Sequence, residues 1–112
     1  MFQLGSALLD ACVLSVISKG DTYGYLLTQE IRNVIEVSES TLYPVLRRLQ
    51  AEQMLATYDR PHSGRNRRYY QITTRGSEHL EYLVNNWQHF KDAVDYLLHP
   101  DSPVSSAKGE ES

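Results

Sequence analysis

The order of hydrophobic periods along this 112-residue chain restricts its fold more than any other feature. Three stretches in the first half place apolar residues three or four positions apart, as one face of a helix requires. Two short segments, 55–60 and 67–73, then carry Thr, Tyr and Ile, which are typical of strands, with a turn rich in Pro, Ser and Gly between them. A last stretch returns to helical spacing and runs to about Leu98.

Helix, helix, helix, strand, turn, strand is the order of a winged helix-turn-helix, in which the hairpin (the wing) projects beside the third helix. We therefore predict a mainly α fold with a small β-hairpin and a long C-terminal helix. The predicted parts are a winged-helix domain over residues 1–75, a dimerisation helix over 76–99 and a disordered tail over 100–112, where Ser, Pro, Gly and Glu prevail.

The composition indicates in which compartment the protein is expected. Cys12 is the single cysteine, so no internal disulfide can form and a reducing compartment is expected. No basic segment precedes an apolar run at the N-terminus, and no apolar stretch approaches the roughly 18–20 residues of a membrane span. We expect a soluble, cytoplasmic protein.

Positive charge is concentrated in one quarter of the chain. Residues 47–75 hold seven arginines against Glu52 and Asp59, a balance of +5. The flanking segments are acidic, −3 over residues 1–46 and −5 over 76–112. Arginine makes bidentate bonds to phosphate oxygens, so the asymmetry indicates an anionic partner, and double-stranded DNA suits it best.

The third helix has a polar front that is the main candidate for reading bases. Ser38 or Ser40 is expected to cap it. In a winged helix this front enters the major groove, where small hydroxyls bond bases or phosphates. An ordinary solvated helix face is the alternative. The predicted DNA-binding residues of this helix are Ser38, Ser40, Thr41, Tyr43, Pro44, Arg47 and Arg48.

The wing carries three further candidates, Arg65, Arg67 and Arg68, for contacts to the DNA backbone or minor groove. Strand alternation places Arg65 and Arg67 on one side and Arg68 on the other, so at least one of them is expected to miss the DNA. A solvated run of charge is the alternative.

The last helix carries apolar residues at spacings of 3-4-3-4-3, the a and d positions of a heptad. This stripe is too long for the short helices and hairpin to cover, and left exposed it would promote aggregation. We predict that it pairs with a second copy; folding back onto its own domain is the alternative. The predicted interface residues are Leu80, Leu83, Trp87, Phe90, Val94 and Leu97.

Several short motifs occur in a fixed order: Tyr23-Gly24-Tyr25, Ser40-Thr41-Leu42-Tyr43-Pro44, Leu46-Arg47-Arg48-Leu49, Gly64-Arg65, Arg67-Arg68-Tyr69-Tyr70, and Ile72-Thr73 with Gly76. In these motifs, from about residue 5 to residue 98, the chain resembles the PadR family of bacterial transcriptional regulators, in its short subgroup with one C-terminal helix. The wing departs from the pattern, since Ser63-Gly64-Arg65 stands where many members carry two glycines.

The resemblance implies a repressor. It also implies that the Tyr23 hydroxyl contacts a DNA phosphate, for which packing between helices is the alternative. Trp87 matches a tryptophan on which flat effectors stack between subunits, so we predict that it binds a planar aromatic small molecule. Acidic neighbours on the same helix favour a cationic one, and plain interface packing of Trp87 is the alternative.

Other functions find little support in the sequence. The four histidines are not paired at i,i+4, so neither a metal site nor another cofactor is expected. There is no nucleophile elbow, phosphate loop or paired acidic motif, so no enzymatic activity is expected. We predict a homodimeric transcriptional regulator that binds an inverted repeat. The alternatives are a winged-helix module that binds an acidic protein and, third, a ligand-binding enzyme.

Overall fold

The computed structural model describes residues 5–100. Residues 1–4 and the predicted tail from Asp101 onward lie outside this range. The described residues form four helices and three strands. In chain order these are α1 (Ser6–Ser18), β1 (Thr22–Tyr23), α2 (Gly24–Arg32), α3 (Glu39–Ala51), β2 (Leu55–His62), β3 (Arg65–Ile72) and α4 (Thr74–Leu98).

Helices α1, α2 and α3 pack around one apolar core. Its fully buried side chains include Leu14, Leu27 and Leu46, one from each helix. Their spacing along each helix follows the amphipathic pattern of the sequence, so burial of one stripe per helix accounts for the bundle. Leu55 at the start of β2 is also buried, and it ties the hairpin to the helical body.

The sheet is antiparallel, with strand order β1-β3-β2. The sequence predicts the hairpin but not the third strand, in which Thr22 and Tyr23 pair with Tyr70 and Tyr69. Two residues are too few to show a strand period, and only the tertiary pairing defines β1. The fold is otherwise the predicted winged helix-turn-helix with a long C-terminal helix.

A two-residue turn, Ser63-Gly64, joins β2 to β3. Both residues have positive φ, 52° at Ser63 and 82° at Gly64. This left-handed pair matches the natural twist of a two-residue hairpin, and glycine adopts it without steric cost. The turn fixes the register of the wing, in which Arg60 lies opposite Arg67 and Tyr58 opposite Tyr69.

Helix α4 begins in close contact with the body and then leaves it. The Thr73 hydroxyl caps its first turn by accepting from the Gly76 amide at 3.0 Å. A Cβ at Gly76 would lie 2.1 Å from the Met54 carbonyl oxygen, so only glycine permits this approach. The molecule measures 60 Å along its longest axis. None of the helices within residues 5–100 is long and apolar enough to span a membrane.

Candidate nucleic-acid interface

Three hydroxyls meet at the N-terminus of α3. Ser38, rather than Ser40, is the cap: its Oγ accepts from the Thr41 amide at 3.2 Å. The same Oγ lies 3.0 Å from the Ser40 hydroxyl and 2.9 Å from the Thr41 hydroxyl. All three residues are exposed, as is Pro44 one turn later. Since the free N–H groups of a helix start attract anions, the cluster presents donors and acceptors to an approaching partner.

Tyr43 lies against the start of α2. A Cβ at position 24 would come within 3.1 Å of the Tyr43 ring, so Gly24 makes room for it. Tyr43 is half-buried in this position. The ring is therefore held between two helices.

The inner face of the wing, which carries Tyr70 and Arg68, meets α3 near Arg47. Partial burial raises the pKa of Tyr70, and the positive charges of Arg68 and Arg47 lie close enough to act against this rise. Arg47 is exposed. The Arg68 guanidinium lies 4.0 Å from the carboxylate of Asp59, the residue opposite it in the ladder. The positive charge of Arg68 is therefore partly compensated.

Arg48 is directed differently from its neighbour Arg47. Its guanidinium donates to the carboxylate of Asp10, a residue of α1 that is only 6% exposed. This hydrogen bond is the main reason that the pKa of Arg48 is raised. The carboxylate of Glu52, the residue that follows the last residue of α3, lies 3.7 Å from the Arg48 guanidinium. The sequence grouped Arg48 with the DNA-reading front, but the structure places its side chain in an ion pair that joins α3 to α1.

The outer face of the wing carries stacked arginines and tyrosines. The Arg67 guanidinium lies 4.0 Å from the centre of the Tyr23 ring, and that of Arg60 lies 4.6 Å from the centre of Tyr69. Tyr69 in turn stacks on Tyr58 at 5.7 Å and meets Tyr23 edge-on at 5.5 Å. Tyr23, predicted either to contact a phosphate or to pack between helices, thus lies beneath an arginine.

Arg60 was not singled out from the sequence. A signal was available: counting outward from the Ser63-Gly64 turn pairs position 62 with 65 and position 60 with 67. Arg60 therefore shares the outer face with Arg67 and with Arg65, which lies beside the turn. The predicted residues thus form two groups. One comprises the α3 front and the inner face of the wing, and the other is the outer face of the wing. Arg48 belongs to neither group.

The predicted interface stripe on α4 is also divided. Leu83 is 4% exposed and belongs to the chain's own core, and Leu80 packs against that core. These two side chains therefore have contacts within the chain, and the remaining four residues of the predicted interface lie further along α4. Trp87 and Phe90, with ring centres 6.2 Å apart, and Val94 are half-buried, whereas Leu97 is 76% exposed.

Trp87 lines a groove of about 310 Å³ between α1, α2 and α4, here called the α1–α4 groove. Val84 of α4, Cys12 of α1 and Val34 in the turn after α2 are among its apolar walls, and Glu30 is the acid that lines it. Burial raises the pKa of the Cys12 thiol. Trp87 therefore faces a space with one negative charge, a feature that the sequence did not reveal because Glu30 lies on another helix. The part of the chain that the structure describes contains no cluster of metal ligands.

Comparison with known proteins places these features in context. The family model described as the transcriptional regulator PadR-like family matches residues 13–82. The crystal structure of smu.1704 from Streptococcus mutans is similar, with a TM-score of 0.78 and 37% identity, covering 87% of this chain and 92% of that one. A PadR-like transcriptional regulator from Bacillus cereus, BC4206, has a TM-score of 0.75 and 35% identity over 82% of this chain and 92% of its own.

A more distant structure has its nucleic acid bound. The Bacillus subtilis PadR, solved in complex with operator DNA, superposes with a TM-score of 0.63 at 21% identity. The match covers 69% of this chain and 45% of that protein. At 21% identity, the similarity shows that the two proteins share a fold.

Proposed function

The chain belongs to the PadR-like family of DNA-binding transcriptional regulators, which are not enzymes, and we propose that it acts as a homodimeric repressor of an inverted-repeat operator. In this proposal the α3 front reads bases and the wing binds phosphates. The observation that carries it is the surface formed by the exposed hydroxyls of Ser40 and Thr41 with Arg47, which together with Arg68 on the inner face of the wing lies near Tyr70.

Within that surface the two elements have different tasks. Ser40 and Thr41 are exposed at the start of α3, where a recognition helix approaches base edges. Arg65 lies beside the turn at the tip of the wing, where a guanidinium can reach the backbone. Base contacts determine which site is bound, whereas phosphate contacts determine register and affinity.

Substitutions in the two elements test this division. We expect Arg65→Ala to weaken binding to all duplexes alike and to lower the slope of log K against log salt by about 0.9 per phosphate lost. Thr41→Ala or Ser40→Ala instead changes the preferred site, by about 1–3 kcal/mol per disturbed base contact. Lys91→Ala on α4, which removes a cation ion-paired with Asp95, is the matched control.

Sites are first obtained by selection from genomic DNA, and affinities are then measured at several salt concentrations. A shift of site preference in Arg65→Ala with none in the α3 variants would reverse the two assignments. Absence of salt-dependent binding to any duplex would favour the alternative, a module for an acidic protein.

Two-fold symmetry supports an inverted repeat. A dimer joined through the exposed end of α4 carries two α3 helices related by the same axis, and the operator should share that symmetry. Half-sites would then be spaced by about 10 or 20 base pairs, one or two turns of DNA. Full affinity of a monomer for a single half-site would contradict the dimer.

The effector in this proposal is a planar aromatic cation that binds the α1–α4 groove and releases the operator. The groove volume of about 310 Å³ suits a small aromatic molecule. Trp87 supplies a face for stacking and cation–π attraction, and Glu30 supplies the opposite charge.

A further inference from the structure

The outer face of the wing holds an arrangement that the hairpin itself does not require. Arg60 and Arg67 lie directly opposite each other in the antiparallel ladder, on the same face of the sheet. Like charges in this position are destabilising, since the Cβ atoms of such pairs are only about 5 Å apart. Within residues 5–100 no carboxylate forms an ion pair with either guanidinium.

Tyrosines hold the two arginines in place instead. Arg67 lies over Tyr23 and Arg60 over Tyr69, at 4.0 and 4.6 Å from the ring centres. A guanidinium above a ring keeps N–H groups at its edge free to donate. These rings, here called the tyrosine platform, restrict the rotamers of each arginine before any ligand binds. Less side-chain entropy is therefore lost on binding.

A short hydrogen-bonded chain fixes Arg60 further. Its Nη2 donates to the Tyr58 hydroxyl at 3.5 Å, and that hydroxyl donates to the Asp21 carboxylate at 2.6 Å. The bond to Asp21 is the main reason that the pKa of Tyr58 is raised. Asp21 is thus linked to Arg60 through the Tyr58 hydroxyl and forms no direct ion pair with it.

We propose that Arg60 and Arg67 together bind one phosphodiester of the DNA backbone, with Tyr23, Tyr58 and Tyr69 as positioning residues. Two guanidiniums from opposite positions on one face of the sheet match the charge and the planar oxygen pairs of a phosphate. The site is continuous with Arg65 at the wing tip, so the backbone of the same duplex is the anion that reaches it. The inference rests on the proposed DNA-binding function and adds to it a phosphate site in which Arg60 takes part.

The test is a double-mutant cycle of Arg60→Gln and Arg67→Gln, in the full chain, with the selected operator and an unrelated duplex. If the pair shares one phosphate, the double variant lowers the salt slope by about 0.9, and each single variant lowers it by less, because the remaining arginine still holds the phosphate. Affinity at 0.1 M salt then falls about eightfold in the double variant, equally for both duplexes.

Other outcomes overturn the shared site. A loss of about 0.9 in each single variant and about 1.8 in the double would mean two separate contacts. An unchanged slope in the double variant would mean no contact, and a change of sequence preference would mean a base contact. Should the wild type itself lack salt-dependent binding, the proposed function fails together with this site; a loss confined to these variants leaves that function intact.

The tyrosine platform is tested separately. Tyr69→Leu keeps every charge but removes the ring beneath Arg60, and we expect it to lower affinity several-fold for both duplexes. Tyr69→Phe keeps the ring and is expected to restore binding. Thermal melting of both variants checks that the sheet is intact. If Tyr69→Leu melts early, Arg60→Lys, which keeps charge but loses the planar fork, must weaken binding for the proposal to stand.

Discussion

The surface proposed to face DNA, formed by the α3 front and the wing and here called the DNA-facing surface, differs from the α1–α4 groove in how far a single chain completes it. On the DNA-facing surface, Ser38 caps α3, Tyr43 packs against Gly24 and the outer arginines lie on tyrosine rings. The groove side is open by comparison: Val34 is 82% exposed at its rim, and Leu97 at the far end of α4 is 76% exposed.

The comparison indicates two kinds of partner. Polar side chains already held in position lose little entropy when they bind an anion, so the DNA-facing surface is ready for its ligand within one chain. Exposed apolar side chains gain free energy only when something covers them. The open side is therefore where we place both the second copy of the chain and the effector.

The largest effect on operator affinity is expected from a substitution at the exposed end of α4, where we place the second copy of the chain. Leu97→Glu places a charge at an exposed apolar position, so the monomer folds but pairing is lost. Affinity for two half-sites then falls by about a hundredfold or more, since the second contact no longer benefits from the first. Light scattering gives the mass, and gel shifts on one and two half-sites give the affinities.

Asn85→Glu, an equal charge change at an exposed f position on the side of α4 opposite the stripe, is the control. A Leu97→Glu protein that still has the mass of a dimer would remove α4 from the interface.

Arg47 and Arg48 give the next contrast. Arg48→Ala leaves the buried carboxylate of Asp10 without its partner, and we expect the free energy of unfolding to fall by about 2 kcal/mol. This is below the cost for a fully buried pair, because solvent reaches Arg48. Arg47→Ala changes stability by about 0.5 kcal/mol or less but weakens DNA binding. Urea denaturation and salt titration measure the two effects.

Equal losses of stability in the Arg47 and Arg48 variants would show that the ion pair between Arg48 and Asp10 does not stabilise the fold.

A smaller effect, of about 1 kcal/mol, is expected from coupling between the groove and the DNA. Trp87 is the only tryptophan, so its fluorescence reports the groove directly. Titration with planar aromatic cations should quench it to saturation and lower operator affinity. Glu30→Gln should weaken cationic ligands several-fold and leave neutral aromatic ones unaffected. If the fluorescence does not respond to any of a broad panel of planar aromatic cations, Trp87 has a packing role and does not bind an effector.

The smallest effect concerns the tip of the wing. Ser63 has a φ of 52°, which costs an L-residue energy, so Ser63→Gly is expected to stabilise the protein by about 0.5 kcal/mol or less. Gly64→Ala, at φ 82°, should instead lose about 1 kcal/mol. Melting temperatures compare them. A stable Gly64→Ala variant would mean that the turn can change its type.

The local structure of the α3 front and of the wing could be predicted, since it depends on local signals. The polar front of α3, a capping serine near its start and the hairpin around Ser63-Gly64 follow from spacing and turn chemistry. What the sequence missed depends on distant pairs. Asp10 lies in an apolar stretch, 38 residues from Arg48, and nothing local shows that a buried acid there has a cation. The strand β1 exists only through its pairing with β3.

The close contact of Gly76 with the Met54 carbonyl has a mechanical consequence. Helix α4 has 25 residues, so it is a rigid arm of about 37 Å, whose angle to the body is set where Gly76, Leu80 and Leu83 pack against that body. A tilt of about 5° at that root moves the far end by about 3 Å, close to the rise of one base pair. A larger residue at position 76 would therefore alter the operator spacing that the proposed dimer prefers, although it lies far from any DNA contact.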